Sequence, residues 1–314
     1  MDNNNTPITL THPANLIAAL PALLGFIPAE SVVVVALKDG EVLCSPPATT
    51  STAISHTAST IMDTVRRHRA TSVFIVAISS DDENAMQKAL ATGQIAELLG
   101  LDVNSVLHTP SCDGPHGWTN LRTGDSGMTD DYRTSHVSVR LVMDGKAIST
   151  ARDDLEKRFA LTEPATDPHT SMSLLDIARQ VHAIMAGNGT LTAELAANIG
   201  HAVTSNIAFR DALLTVGSDN PRAGTQLFID VAGKLRDQVR AEVLTLVVAL
   251  AGLAGNGALM NVAIETAQRT TTQLPTLIEL IDQAAAAGIS PTQLAQVIPD
   301  PDTARDTIGG DYTT

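Results

Sequence analysis

Four residues able to ligate a metal share one short stretch: His108, Cys112, Asp113 and His116. The order His-x3-Cys-x3-His brings two imidazoles and a thiol to one loop, with Asp113 or Asp125 as a fourth ligand. Zinc takes four nitrogen or sulfur ligands, or three and a water, so zinc is the ion this set suits. There is no Cys-x2-Cys, and a loop rich in proline and glycine collects His and Asp on its surface anyway. The plainer reading is a polar surface loop. A second candidate is Glu30-Ser31, immediately before Val32–Val35. A carboxylate and a hydroxyl at a strand end can bind a ligand or polarise a nucleophile. Equally, Glu30 can cap exposed amides while Ser31 turns the chain into the strand. Third, Thr49-Thr50-Ser51-Thr52 precede a helical segment. Hydroxyls there can hold an anion, although plain N-capping suffices. There is no glycine-rich phosphate loop with its lysine and no Gly-x-Ser-x-Gly elbow, so no catalytic residue is assigned.

The elements that must position these residues follow from hydrophobic spacing. Pro13–Leu24 reads as a helix, with Leu16, Ile17, Leu20, Leu23 and Leu24 on one face. Thr11 or His12 precedes its first-turn proline, and Gly25 is a stop. Ser31–Leu37 holds four consecutive valines and is apolar on both faces, as in a strand covered on both sides. The Asp39-Gly40 turn and Val42–Ser45 make a hairpin with it. Ser51–Arg69 reads as a helix, Ser72–Ser79 as a buried strand, Asp81–Leu99 as a helix and Val103–His108 as a strand. Strand–helix–strand units of this length favour a sheet with helices against it. Pro110–Arg133 carries four glycines and few aliphatics, and reads as a long functional or mobile loop. His136–Val142 alternates like an edge strand. A helix follows at Ala151–Phe159, with a capping box from Thr150 to Asp153.

Residues 162–170 contain two prolines and no apolar period, which makes them a linker. Beyond them the chain reads helical at Met172–Met185, Thr192–Val203, Asn206–Val216, Ala223–Val239, Ala241–Leu253, Ala258–Gln268, Leu274–Ala287 and Pro291–Val297. Ala241–Leu253 is apolar nearly all round and suits a central buried helix. Gly255-Asn256-Gly257 and Gly288–Pro291 are tight connections of helix hairpins. Such hairpins present grooves, and the low-charge segment Leu280–Ala287 could pack against another chain or within its own core. The expected architecture is an α/β domain at 1–161, a small sheet with helices packed on it. An all-α helix-hairpin domain at 171–298 and a flexible tail at 299–314 follow.

Composition narrows the function classes. The formal net charge of −14 opposes a phosphate-binding surface, so nucleic acid is not an expected partner. The basic run Arg66-Arg67-His68-Arg69 sits where a helix ends, and cations there offset the helix dipole. One tryptophan and two tyrosines make no stacking platform for single strands. The longest apolar run, Val243–Ala254, is too short to span a bilayer. Cys44 and Cys112 make no disulfide framework, and Met1–Thr6 is polar, so a cytoplasmic protein without membrane contact is expected.

The stretch Leu16–Leu24, then Leu24-Gly25-Phe26 with Pro28 and Glu30-Ser31-Val32-Val33-Val34, resembles the actinobacterial "domain of unknown function" family numbered 4192. Trp118 after a polar loop, Arg152 with Leu155, Gly255–Ala267 and Leu277–Gly288 are similar to later parts of that family. Many members carry several cysteines shortly after the tryptophan, whereas Trp118–Gly124 has none. The resemblance implies a cytoplasmic actinobacterial or bacteriophage protein and brings no activity with it.

With no strong catalytic motif and with helix hairpins in the second half, the sequence reads as a non-enzymatic protein-binding or regulatory module. Its partner is another protein, with a homo-oligomer also open. The alternative is an enzyme with a strand-end site in the N-terminal domain, metal-dependent through zinc; no other cofactor is expected.

Overall fold

The β-branched run near the start of the chain forms a strand buried on both faces. Val33 and Val35 are fully buried on one side, Val32, Val34 and Ala36 on the other. The computed structural model describes residues 12–38, 41–44, 48–49, 70–80, 83–143, 148–164, 171–286 and 291–313. The chain divides into two compact units, Met1–Asp154 and Leu155–Thr314.

The first unit opens with helix α1 (Pro13–Leu24), capped by the His12 ring, whose Nδ1 accepts from the Ala14 N–H at 3.3 Å. It ends at Gly25, whose φ of 77° is the left-handed stop. Strand β1 (Ser31–Lys38) pairs antiparallel with β2 (Glu41–Cys44), with the short β3 (Ala48–Thr49), and on its other side with β4 (Ser72–Ile78). Helix α2 (Glu83–Leu98) then returns the chain to β5 (Asp102–Thr109), which runs parallel to β4. Two further strands, β6 (Gly117–Asn120) and β7 (Ser126–Met128), complete the sheet. Among the described residues the order is β2–β1–β4–β5–β6–β7, with β3 also on β1. Val32, Val34, Ile75, Ala77 and Val106 on one sheet face form a core with Ala85, Ala89 and Ala96 of α2. Small residues let that helix lie close to the sheet. The expected helix at Ser51–Arg69 lies outside the described residues.

Two expectations for this unit are corrected. Pro110–Arg133 is no open loop: it holds β6 and β7, an antiparallel hairpin that extends the sheet beyond β5. Trp118 anchors it, 7% exposed and paired across the strands with Gly127. His136–Val142 is not an edge strand but part of α3 (His136–Met143). The Ser135 hydroxyl accepts from the Ser138 N–H at 3.1 Å. Ser138 is buried while Val139 is 46% exposed, the reverse of what alternation demands. A serine cap outweighs a period-two pattern of seven residues.

The second unit is helical. It comprises α5 (Leu174–Met185), α6 (Ala193–Ser205), α7 (Ile207–Ser218), α8 (Pro221–Lys234), α9 (Asp237–Leu253), α10 (Gly257–Thr270), α11 (Thr276–Ala286), α12 (Pro291–Leu294) and α13 (Pro301–Ile308). The segment expected to be central is so: α9 is buried from Val243 to Ala251 and packs on α6, α7, α8 and α10. The expected continuous helix Ala223–Val239 is broken at Leu235 and Arg236, both extended. Arg236 makes the break by donating to the carbonyls of Gly233 at 3.1 Å and Leu235 at 2.9 Å, which caps the end of α8.

The segment around α4 (Arg152–Lys157) straddles the division, ahead of the expected linker. Leu155 and Phe159 are buried, and Arg240 and Arg236 hold the carbonyls of Phe159 at 2.6 Å and Thr162 at 2.7 Å. The tail expected to be flexible is folded: Ala304, Ile308 and Tyr312 are buried, and α13 packs on α7. Asp300 caps α13 and Pro301 starts it, so acidic residues that suggest fraying form a helix N-terminus instead.

Candidate functional site

The parallel pair β4 and β5 ends where open α/β sheets generally hold ligands, at the strand carboxyl ends. Ser79 follows β4, and its N–H donates to the Thr109 carbonyl at 3.1 Å, tying the two ends together. Glu30 reaches this point from the start of β1. Its Oε2 accepts from the Ser79 hydroxyl at 2.9 Å, and its Oε1 accepts from the Ser80 N–H at 3.1 Å and hydroxyl at 3.2 Å. The Ser80 N–H first, then the Ser79 hydroxyl, hold the Glu30 carboxyl below its ordinary value. The geometry requires Glu30 to stand at φ 41°, in the left-handed region that favours glycine. Glu30 thus clamps the β4 end. Ser31 beside it is buried, and among the described residues its hydroxyl has no hydrogen-bond partner.

His108, Cys112, Asp113 and His116 lie close in sequence but do not converge as a ligand set. The His108 Nε2 lies 3.1 Å from the Ser79 carbonyl. A carbonyl only accepts, so Nε2 carries the proton and is committed to the strand end. Asp113 Oδ1 accepts from the Ser111 hydroxyl at 2.8 Å and from His116 Nε2 at 2.7 Å. Those bonds, Ser111's the larger, lower the Asp113 pKa. Cys112 is a free thiol, 2% exposed, and burial, with the Asp113 charge second, pushes it up to about 12. It is therefore a protonated core residue and, as it stands, no nucleophile. Among the described residues no three His, Cys, Asp or Glu side chains form a group able to hold a metal. Asp125 accepts from the Thr123 hydroxyl at 2.6 Å within its own turn. The Thr50–Thr52 hydroxyls and the basic run at 66–69 lie outside the described residues.

Sequence reasoning missed Ser79 and Ser80 as the partners of Glu30. The only signal was their place after a buried strand. It also missed an apolar groove in the helical unit. This cavity of about 270 Å³ is lined by Gly252, Gly255, Gly257, Met260, Ile281, Ala284, Ala285, Pro291 and Leu294. The Gly255-Asn256-Gly257 turn builds its rim: the Asn256 side chain caps α10 by accepting from the Leu259 N–H at 3.1 Å. Small residues on α9, α10 and α11 leave the space, and Met260 and Ile281 supply apolar walls. No described helix is long and apolar enough to cross a membrane.

Neither the curated proteins nor the solved structures gave a match to this chain. One family model does match, over residues 13–176 and 167–292. The first match carries the Glu30 clamp and the β4–β5 strand ends, the second the helices that line most of the groove. The chain belongs to the family described as Domain of unknown function (DUF4192).

Proposed function

We propose that the protein is a non-enzymatic binding module that engages another protein through its helical unit. The observation that carries this reading is the groove beside the α9–α10 turn. Its lining is apolar and rich in glycine and alanine, and among the described residues no titratable side chain lines it. At about 270 Å³ it falls just below the roughly 300–1,000 Å³ of small-molecule and cofactor sites. One or two apolar side chains of a docked segment fill such a space. The strand-end chemistry points the same way: the Cys112 thiol is held protonated, and the Ser79, Ser80 and Ser111 hydroxyls all donate to carboxylates. Those carboxylates, Glu30 and Asp113, are held below their ordinary values and are weak bases, poorly suited to activating a hydroxyl.

The test is a photo-crosslinking residue placed at Gly257 or Ala285 of the full chain in its native cells. A discrete adduct formed from both positions, and absent when the same residue replaces exposed Thr123, is the expected outcome. Absence of adducts at the groove overturns the reading. The competing reading, an enzyme at the strand ends, is favoured by one observation: Glu30 is held at positive φ, and such strain collects at functional sites. A substrate whose turnover by the protein is abolished by Glu30→Gln would establish it.

A further inference from the structure

We infer that the groove takes a basic amphipathic helix, with apolar anchors in the cavity and lysine or arginine along its rim. This inference rests on the docking reading above and adds the chemistry of the partner. The apolar part follows from the lining. Ile281, Ala284 and Ala285 share one face of α11. At about 100° per residue, Leu280 and Asp282 stand on opposite flanks of that face. Leu280 is 55% exposed and Asp282 is exposed, so one rim of the α11 wall is apolar and the other acidic.

The charge follows from the surrounding sequence. Residues 241–314 contain eight carboxylates and only two cations, Arg269 and Arg305, with no lysine and no histidine. Arg305 is already paired with Asp302 at 2.8 Å. Glu279, one helical turn before Asp282 on α11, is also exposed and adds to the acidic side. A neutral cavity flanked by the exposed carboxylates of Asp282 and Glu279 suits a segment that is apolar on one side and positive on the other. An acidic or phosphorylated segment would meet repulsion on the same surface.

The experiment uses the full chain and two labelled amphipathic peptides of about 15 residues with the same leucine face, one with lysine and one with glutamate on the polar face. Fluorescence anisotropy reads binding at low and moderate salt. The lysine peptide is expected to bind at least about tenfold more tightly, and less so as salt rises. Gly257→Leu is the blocking variant. Gly257 lines the groove and a Cβ there meets nothing within 4 Å, so the substitution adds bulk at the groove without a clash. It is expected to weaken binding by about tenfold or more, and Asp282→Lys by several-fold. Equal binding of both peptides, lost on Gly257→Leu, overturns the charge assignment and leaves the docking reading intact. Binding that ignores Gly257→Leu, or no binding of either peptide, overturns the groove itself.

Discussion

Replacing Glu30 separates the clamp from the strain it imposes. At φ 41° a residue with a Cβ is held at a cost of about 1–2 kcal/mol. Against this stand three hydrogen bonds to the carboxylate. The Ser80 groups are exposed and find water when the carboxylate is removed, so they matter little. Ser79 is fully buried, and its hydroxyl would be stranded, at about 1–3 kcal/mol. Glu30→Ala loses the bonds and keeps the strain, so we expect a destabilisation of about 2 kcal/mol. Glu30→Gly loses the same bonds but relieves the backbone, and should recover about 1 kcal/mol of that. Glu30→Gln keeps one acceptor oxygen at this position and should lie within about 1 kcal/mol of the parent at neutral pH. The carboxyl is held below its ordinary 4.5 in the folded chain. Its stabilisation is therefore complete above that value and is lost as the pH falls through the lowered folded value. The parent should lose its advantage over Glu30→Gln in that acid window, by an amount kept small because the carboxylate is exposed to solvent. Urea unfolding followed by circular dichroism at neutral and acid pH measures both effects. Equal stability of the Ala and Gly variants, or a parent-to-Gln gap that does not close on acidification, would refute the account.

Three further outcomes are expected from the helical unit. Arg240 is 4% exposed, with Nε and Nη1 buried and unpartnered among the described residues and Arg236 as its charged neighbour. Arg240→Met should therefore unfold within about 1 kcal/mol of the parent or above it, because relief of desolvation offsets the lost bond to Phe159. Arg240→Ala adds a cavity and should lose about 3 kcal/mol; equal losses for both in urea titrations would be the contrary result. Gly224→Ala would put a Cβ 3.1 Å from the Gly217 carbonyl and 3.0 Å from Leu250 Cδ1. Since a backbone oxygen yields little, a loss of about 1–3 kcal/mol is expected, read as a lower urea midpoint. Ending the chain after Ile298 removes the buried Ile308 and Tyr312 and should lower stability by about 3 kcal/mol. Amide exchange should quicken on α7, against which α13 packs, and unchanged exchange there would show that the tail contributes nothing.

What the sequence discloses is what local patterns control. Val32–Val35 and Val73–Ile78 specify buried strands by composition alone, and α9 announces itself as central because it has no polar face beyond its first turns. The errors fall where one side chain decides between two patterns that local spacing allows. Ser135 turns an alternating segment into α3, and Arg236 stops α8 by reaching back to its carbonyls. Trp118 folds a glycine-rich stretch into a hairpin by packing on Gly127. The candidate sites divide the same way. His108, Cys112 and His116 look like a ligand set because they are near in sequence. Their side chains part company because β5 ends at Thr109, which leaves His108 on the strand and the others in the turn beyond it. Glu30 and Ser79–Ser80 are remote in sequence and meet only because β1 and β4 are paired in register, with Ser31 opposite Ile78. The groove is assembled from several helices and a turn, and each lining residue is ordinary by itself. The proposed docking surface would draw its specificity from which small residues are brought together, and from the exposed Asp282 and Glu279 on the helix that forms one of its walls.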